Sequence, residues 1–318
     1  DALLKSTREV LGEDFDDIMY SWAKGSSNKG REWIHVYRGG AGEFRYSIIP
    51  AQQIIAIYDS DKQKDLIGVI RYYPIAVFAG KEKSERIKAQ WWTTRDVTYY
   101  VTDEHGHFVL DPDHEINPSP HWHVITLSSA GEELSREGES WGRVPFVCLK
   151  NNDEQTSDLE DYKTLIDAYN YTMSSGSNDL KDFTEVVRIL KGYSGTDLGE
   201  FMHQLRIYKA IKVDERGDVT SDRQEIPVDA KKEHLDRLQE NIFAFGMAID
   251  MTSDKFGNSP SGVALMFIYA MLDLKGSGMI RKMQNVLKEL SSFVVEYINM
   301  TSSSKNELSE LTYTSNKN

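Results

Sequence analysis

The run Asn151-Asn152-Asp153-Glu154-Gln155-Thr156-Ser157-Asp158-Leu159-Glu160-Asp161-Tyr162-Lys163-Thr164-Leu165-Ile166-Asp167-Ala168-Tyr169 is where the chain changes period. From here on, apolar residues recur at three- and four-residue steps, and Leu159, Tyr162, Ile166 and Tyr169 fall on one helix face. Ser157 and Glu160 have the spacing of a capping box, in which each side chain satisfies the other residue's free backbone N–H. The rest of the helix is acidic: Asp153–Asp182 carries eight carboxylates against two lysines. Paired acids such as Asp158 and Asp161 could serve acid–base chemistry. On a helix this densely acidic, the plainer reading is a solvated or channel-facing surface.

Upstream of this run the sequence reads as an α+β unit. All six tryptophans lie before residue 142. Trp33–Tyr37 and Phe44–Ile49 are β-rich runs around the glycine turn Arg38-Gly39-Gly40-Ala41-Gly42, which predicts a hairpin. Further strands are expected at Ile54–Tyr58, Leu66–Tyr73, Trp91–Val101 and His123–Leu127. Ahead of them, Ala2–Lys24 reads as one helix, with Leu3, Val10, Leu11, Phe15, Ile18 and Met19 as its apolar stripe.

Downstream, a short β-like module interrupts the helices. Val186–Lys191 and Ile207–Val213 have strand character, with a turn at Asp214-Glu215-Arg216-Gly217-Asp218. A second long helix begins near Lys231 and carries Leu235, Leu238, Ile242, Phe245 and Ile249. It ends at the loop Thr252–Pro260. A third helix runs from Ser261 to Met300; its opening turns, Val263–Leu272, are apolar all round and are expected to be buried on every side. Gly276 and Gly278 invite a kink, and the polar tail Thr301–Asn318 is expected to fray.

Composition excludes several classes. With 318 residues, 40% hydrophobic and 27% charged, the chain suits a packed globular protein of about two domains. Its net charge of −13, with no basic stripe, argues against tight general binding of duplex nucleic acid, whose affinity comes largely from phosphate neutralisation. The ten-residue apolar run Val263–Leu272 is too short to span a membrane, which needs about 20 residues. No leader pattern opens the chain, and its start on Asp1 reads as a piece trimmed from something longer. The single Cys148 lies in an apolar run and reads as a buried, inert thiol suited to a reducing compartment. There is no Walker loop, nucleophile elbow or zincin motif; Gly195-Thr196-Asp197-Leu198-Gly199 is a turn without a phosphate loop's spacing.

The one stretch with the chemistry of a site is rich in histidine: His105, His107, Asp111, Asp113, His114, Glu115, His121 and His123. Alternating His-x-His pairs on facing strands could bind Zn²⁺, which would make the chain a metal-dependent hydrolase acting through residues 103–123. Their setting among Gly, Pro and Asp is that of an exposed hairpin. A third reading is a monomeric binding protein with a β-rich recognition face.

Several strings in order resemble the portal proteins of tailed bacteriophages, of the type found in siphophages of Gram-positive hosts. They are Phe44–Asp59, Gly68–Tyr73, Trp141–Phe146 running into Asn151-Asn152, Ser157–Glu160 with Leu165–Tyr169, Arg188–Tyr193, and Phe256–Leu265. The resemblance covers nearly the whole chain and implies an α+β portal fold with a β-rich wing, a two-helix stem, a small α/β clip and a long kinked wing helix. On this reading residues 1–152 are the wing, 153–182 the first stem helix, 183–230 the clip and 231–251 the second stem helix. Residues 252–260 are then a tunnel loop, 261–300 the kinked wing helix, and 301–318 the start of a crown or a frayed tail.

The function implied is a non-enzymatic ring, a dodecamer, at one capsid vertex of the virion, assembled in the host cytoplasm. Double-stranded DNA would pass through it without sequence-specific binding. The terminase large subunit, a head-completion or adaptor protein, and the major capsid and scaffolding proteins are the implied partners, with no membrane and no cofactor. The residues implicated are the tunnel loop, Thr252, Ser253, Asp254, Lys255, Phe256, Gly257, Asn258 and Ser259, with Lys255 as a transient phosphate contact. Asp158, Asp161 and Asp167 are the candidates for channel lining.

Overall fold

The computed structural model describes residues 2–313 apart from 62–63, 80–81, 130, 132, 183–186, 192–196, 198, 200–202, 204–206, 208–217, 223–227, 251–261 and 303–304. The chain forms two compact units, Asp1–Glu160 with Ala264–Asn318, and Asp161–Val263.

The first unit opens with two helices where one was expected, α1 (Ala2–Leu11) and α2 (Phe15–Lys29). Gly12, at φ 81°, donates its N–H to the Arg8 carbonyl and turns the chain, a left-handed C-cap that only glycine adopts freely. The expected apolar stripe survives the break, because Leu3, Val10, Leu11, Phe15, Ile18 and Met19 all pack on one core.

The expected hairpin forms as β1 (Arg31–Arg38) and β2 (Phe44–Ile49), with Trp33 opposite Ile49 and Arg38 opposite Phe44. The antiparallel order of this sheet is β11-β1-β2, β11 being Phe146–Lys150. Strand β1 is buried on both faces. Ile34 and Val36 join α1, α2 and the end of the last helix in a core around Trp22, Trp141, Leu290, Phe293 and Val294. Trp33 faces a second core with Ile54, Val69, Trp92, Val97 and Phe146.

That second core is shared with a six-stranded sheet. Its path is β3 (Ile54–Tyr58), β4 (Leu66–Ala79), β5 (Glu82–Trp92), β6 (Asp96–Thr102) and β7 (Phe108–Leu110), with β8 (Ser119–Pro120) also on β6. Strand β4 outruns its expected end, and β5 occupies a charge-rich stretch that alternation alone does not mark. The expected run Trp91–Val101 is split, because Thr93 Oγ1 bonds Asp96 Oδ1 at 2.8 Å and closes a turn between β5 and β6. Gly68 lies under Trp91, whose ring would stand 2.4 Å from any Cβ there. Strands β9 (Trp122–Leu127) and β10 (Glu133–Glu139) form a separate hairpin.

The last helix, numbered α5 in chain order (Gly262–Thr301), continues without interruption through Gly276 and Gly278. Its carboxyl half is core; its amino half departs from expectation. Met266 is 73% exposed and Leu274 60%, with Tyr269, Met271 and Leu272 also exposed. An all-round apolar helix demands burial, but hydrophobicity does not say which surface supplies it.

The second unit contains α3 (Lys163–Asp182), α4 (Val228–Phe245) and a two-stranded sheet. In that sheet β12 (Val187–Lys191) pairs with β13 (Asp218–Asp222), Val187 opposite Asp222. The sequence also gave strand character to Ile207–Val213. Ile207 is helical, and residues 208–213 lie outside the described residues. Strand β13 starts at the end of the expected turn, its Val219 and Thr220 being too short a β signal to stand out.

Candidate functional site

Within the second unit α3 and α4 pack against each other. Leu238 on α4 is buried, and the apolar residues Leu165, Ile166, Ala168 and Tyr169 on α3 and Leu235, Ile242 and Phe243 on α4 are half-buried. Ile166, Tyr169, Leu235, Leu238 and Ile242 are among the positions the sequence marked, whereas Leu159 and Phe245, also marked, are 45% and 59% exposed. The expected capping box is replaced by a single 3-10 turn over Asp158–Asp161, where the Glu160 N–H donates to the Ser157 carbonyl at 3.2 Å; α3 proper begins at Lys163.

The three acidic candidates have different surroundings. Asp161 and Asp167 are exposed, on the 3-10 turn and the second turn of α3. Asp158 belongs to the first unit and is half-buried. Its Oδ1 accepts from Asn151 Nδ2 at 2.7 Å, and its Oδ2 lies 2.8 Å from Lys275 Nζ. Two of the three therefore offer a free carboxylate to solvent, and the third is committed within its own unit.

The second helix is closed after Phe245. The Gly246 N–H donates to the Ile242 carbonyl at 3.0 Å, Met247 adopts φ 51°, and the Ala248 N–H donates to the Phe243 carbonyl at 2.9 Å. Gln239 Nε2 donates to Asp250 Oδ2 at 3.1 Å, fixing the last residue described ahead of the loop. Thr252, Ser253, Asp254, Lys255, Phe256, Gly257, Asn258 and Ser259 lie outside the described residues.

The histidine stretch divides among separate structural tasks. His105 and His107 sit at an exposed turn, where Asp103 Oδ1 accepts both of their backbone N–H groups at 2.8 Å and its carboxyl is held below the usual range by those bonds. His114 stacks on Tyr99 with ring centroids 3.7 Å apart and planes within 4°. Beside it Asp111 is buried; burial pushes its carboxyl up, but Lys88, at 2.7 Å, and the Asp113 N–H hold it below the ordinary value. His121 Nδ1 accepts the Trp141 N–H at 3.2 Å, so Nε2 carries the proton and donates to the Thr93 carbonyl at 3.2 Å. His123 lies on β9. Among the described residues no three His, Cys, Asp or Glu stand close enough to hold a metal ion.

The sequence reading gave no role to His35. His35, on β1, is enclosed by Phe146, stacked at 4.5 Å, Trp92, edge-on at 4.5 Å, and Tyr37 at 5.4 Å. Its Nε2 has no hydrogen-bond partner. Burial first, then Arg71 and His121, lower its pKa to about 3, so it is neutral. The available signal was its place inside the run Ile34-His35-Val36, where a polar residue in a strand buried on both faces has no route to water.

Comparison with known proteins bears on the whole chain. A family profile described as phage portal protein, SPP1 Gp6-like, matches residues 1–318. The portal protein of Bacillus phage SPP1 is 36% identical over 301 residues, which covers 94% of this chain and 57% of that protein. The portal protein of Clostridium phage phiCD119 is 29% identical over 329 residues, 99% of this chain and 68% of that protein. The chain thus spans between half and about two thirds of the curated relatives it matches.

Proposed function

The chain belongs to the phage portal protein family, SPP1 Gp6-like, and from that premise we propose that it is a structural, non-enzymatic subunit of a ring-shaped channel for viral DNA. The observation that carries the proposal is a family match that runs from residue 1 to residue 318. The ring would sit at one capsid vertex of the virion, pass DNA inward during packaging and outward during ejection, and dock the terminase large subunit and then a head-completion or adaptor protein. The major capsid and scaffolding proteins would surround it. A head-to-tail contact that closes on itself gives such a ring, here of twelve copies.

We assign 1–152 to the wing, 183–230 to the clip, 153–182 and 231–251 to the stem, and 252–260 to the tunnel loop, with 261–300 returning to the wing and 301–318 leading toward a crown. What supports the stem assignment is the pairing of α3 with α4, each with one apolar stripe, and the free carboxylates of Asp161 and Asp167. Repeated around a ring, such carboxylates repel phosphate, so DNA slides instead of sticking. The effect requires a narrow bore, because at physiological salt charges are screened beyond about 8 Å. Lys255 in the tunnel loop would make the passing phosphate contact. The histidine stretch has no observation in favour of a hydrolase.

The deciding experiment is solution mass with negative-stain imaging of the protein in its complete natural form. Rings of about a dozen subunits with a central hole are expected, and a persistent monomer refutes the reading. In packaging extracts, Asp161→Lys with Asp167→Lys is expected to slow DNA entry while rings persist, and deletion of Asp254–Asn258 to abolish packaging while rings persist. Normal packaging by either variant removes the corresponding assignment.

A further inference from the structure

The chain passes between its two units twice, between residues 160 and 161 and between 263 and 264. Inside the first unit the segments leading to these crossings are tied together. Residues 151–158 fold into a knot. Asn151 Nδ2 donates to the Thr156 carbonyl at 3.1 Å and to Asp158 Oδ1 at 2.7 Å. Asn152 Oδ1 accepts the Thr156 N–H at 2.8 Å, and its Nδ2 donates to Thr156 Oγ1 at 2.8 Å. Between them Gln155 adopts φ 59°, a left-handed conformation that a residue with a Cβ keeps only where its surroundings over-determine it. Arg31 donates to Gln155 Oε1 at 2.8 Å, and the Asn151 N–H donates to the Gly30 carbonyl at 2.8 Å.

Two lysines of α5 reach this knot. Lys275 Nζ lies 2.8 Å from Asp158 Oδ2, and Lys282 Nζ lies 2.7 Å from Asp153 Oδ1. Seven residues are two turns of an α-helix, so both lysines stand on one face, about 10 Å apart along the axis. They grip the knot on either side of Gln155. We propose that Lys275–Asp158 and Lys282–Asp153 form a brace that couples the position of α5 to residues 151–160, the segment by which the chain enters its second unit. A shift of α5 along its axis pulls on both carboxylates at once. In a channel whose subunits change shape as DNA moves, the brace would pass a displacement of the long helix to the start of the stem. That last consequence rests on the portal reading; the brace does not.

Solvent-exposed ion pairs, Asp153 being 94% exposed, add little to global stability, so the readout must be local. In the complete protein, Lys275→Ala with Lys282→Ala is expected to speed amide exchange of residues 151–161 about fivefold, the factor that about 1 kcal/mol represents, with the thermal midpoint and ring mass unchanged. The conservative pair Lys275→Arg with Lys282→Arg, which keeps both charges and leaves the Asn151–Asp158 hydrogen bond in place, is expected to retain most of the protection. In the unaltered protein, raising NaCl to roughly 0.5 M should speed exchange of 151–161 and leave the β1–β2 hairpin as it was. Exchange in the double alanine variant equal to wild type overturns the brace, as does an arginine pair that exchanges as fast as the alanine variant. Faster exchange with unaltered packaging supports the brace and refutes its part in the portal.

Discussion

Replacing His35 by phenylalanine should make the first unit resist acid. In the unfolded chain this histidine titrates near 6.5; in the fold its pKa is lowered to about 3 by burial, Arg71 and His121. A folded-state value below the unfolded one means that the unfolded chain binds the extra proton across that window. Stability from neutral His35 is therefore complete above about pH 6.5 and declines as pH falls toward 3. Each unit costs about 1.4 kcal/mol, so the loss between pH 7 and pH 4.5 is about 2.5 kcal/mol from this residue alone. Phenylalanine keeps the ring stacked on Phe146 and removes both the proton site and the unpartnered Nε2. The assay is urea unfolding followed by tryptophan fluorescence at pH 7.5, 6, 5 and 4.5; all six tryptophans precede residue 142, so the signal reports the first unit. A tighter fit of the phenylalanine ring sets the variant's starting stability at pH 7.5. What the reasoning requires is that the gap close, and reverse if the offset is small, by about 2–3 kcal/mol on going to pH 4.5. Parallel pH profiles for the two proteins would refute it.

Three further outcomes follow from packing. Gly30→Ala places a Cβ 2.0 Å from the Gln155 carbonyl oxygen at φ 84°, and should lower stability by about 3 kcal/mol in the same urea assay; a near-normal midpoint would show that the 151–158 knot yields. Phe293→Ala empties a fully buried site against Trp141, at 5.3 Å edge-on, and under Arg143, at 3.9 Å; a loss of about 3–5 kcal/mol is expected, and a loss below about 1 kcal/mol would mean that the core refills. Cys148, whose thiol burial pushes up to about 12, should react with a disulfide reagent at pH 8 only after unfolding, and labelling of the native protein at the rate of a free thiol would contradict that assignment.

Much of the fold was legible because it follows from local pattern. The β1–β2 hairpin, the apolar stripes of α1 and α2 and the change to helix beyond Asn152 each rest on spacing within about fifteen residues. The errors fall where a partner distant in sequence decides the outcome. Strand β5 is charge-rich and forms because β4 and β6 pair with it on both sides. Strand β12 pairs with β13, about thirty residues on, whose own β signal is short. The helix expected over Ala2–Lys24 breaks at Gly12, a local signal that the apolar stripe outweighed.

For the candidate site the division is similar. The sequence by itself determined that a helix with one apolar stripe and one acidic surface follows residue 152, that no strong catalytic motif is present, and that the ordered strings are those of a portal protein. Those properties depend on residue type and spacing alone. Only the tertiary structure decided which carboxylates are free. Asp158, Asp161 and Asp167 look alike on the page, yet Asp158 is bound by Asn151 and by Lys275, more than a hundred residues away in the chain, while Asp161 and Asp167 face water. The histidines separate in the same way: His35 is buried against Trp92 and Phe146 of other strands, His121 is half-buried against Thr93 and Trp141, and His105 and His107 stay exposed. Whether a charged or titratable group acts or is neutralised depends on its desolvation and its nearest partner, and both are set by contacts between segments that a linear pattern does not bring together.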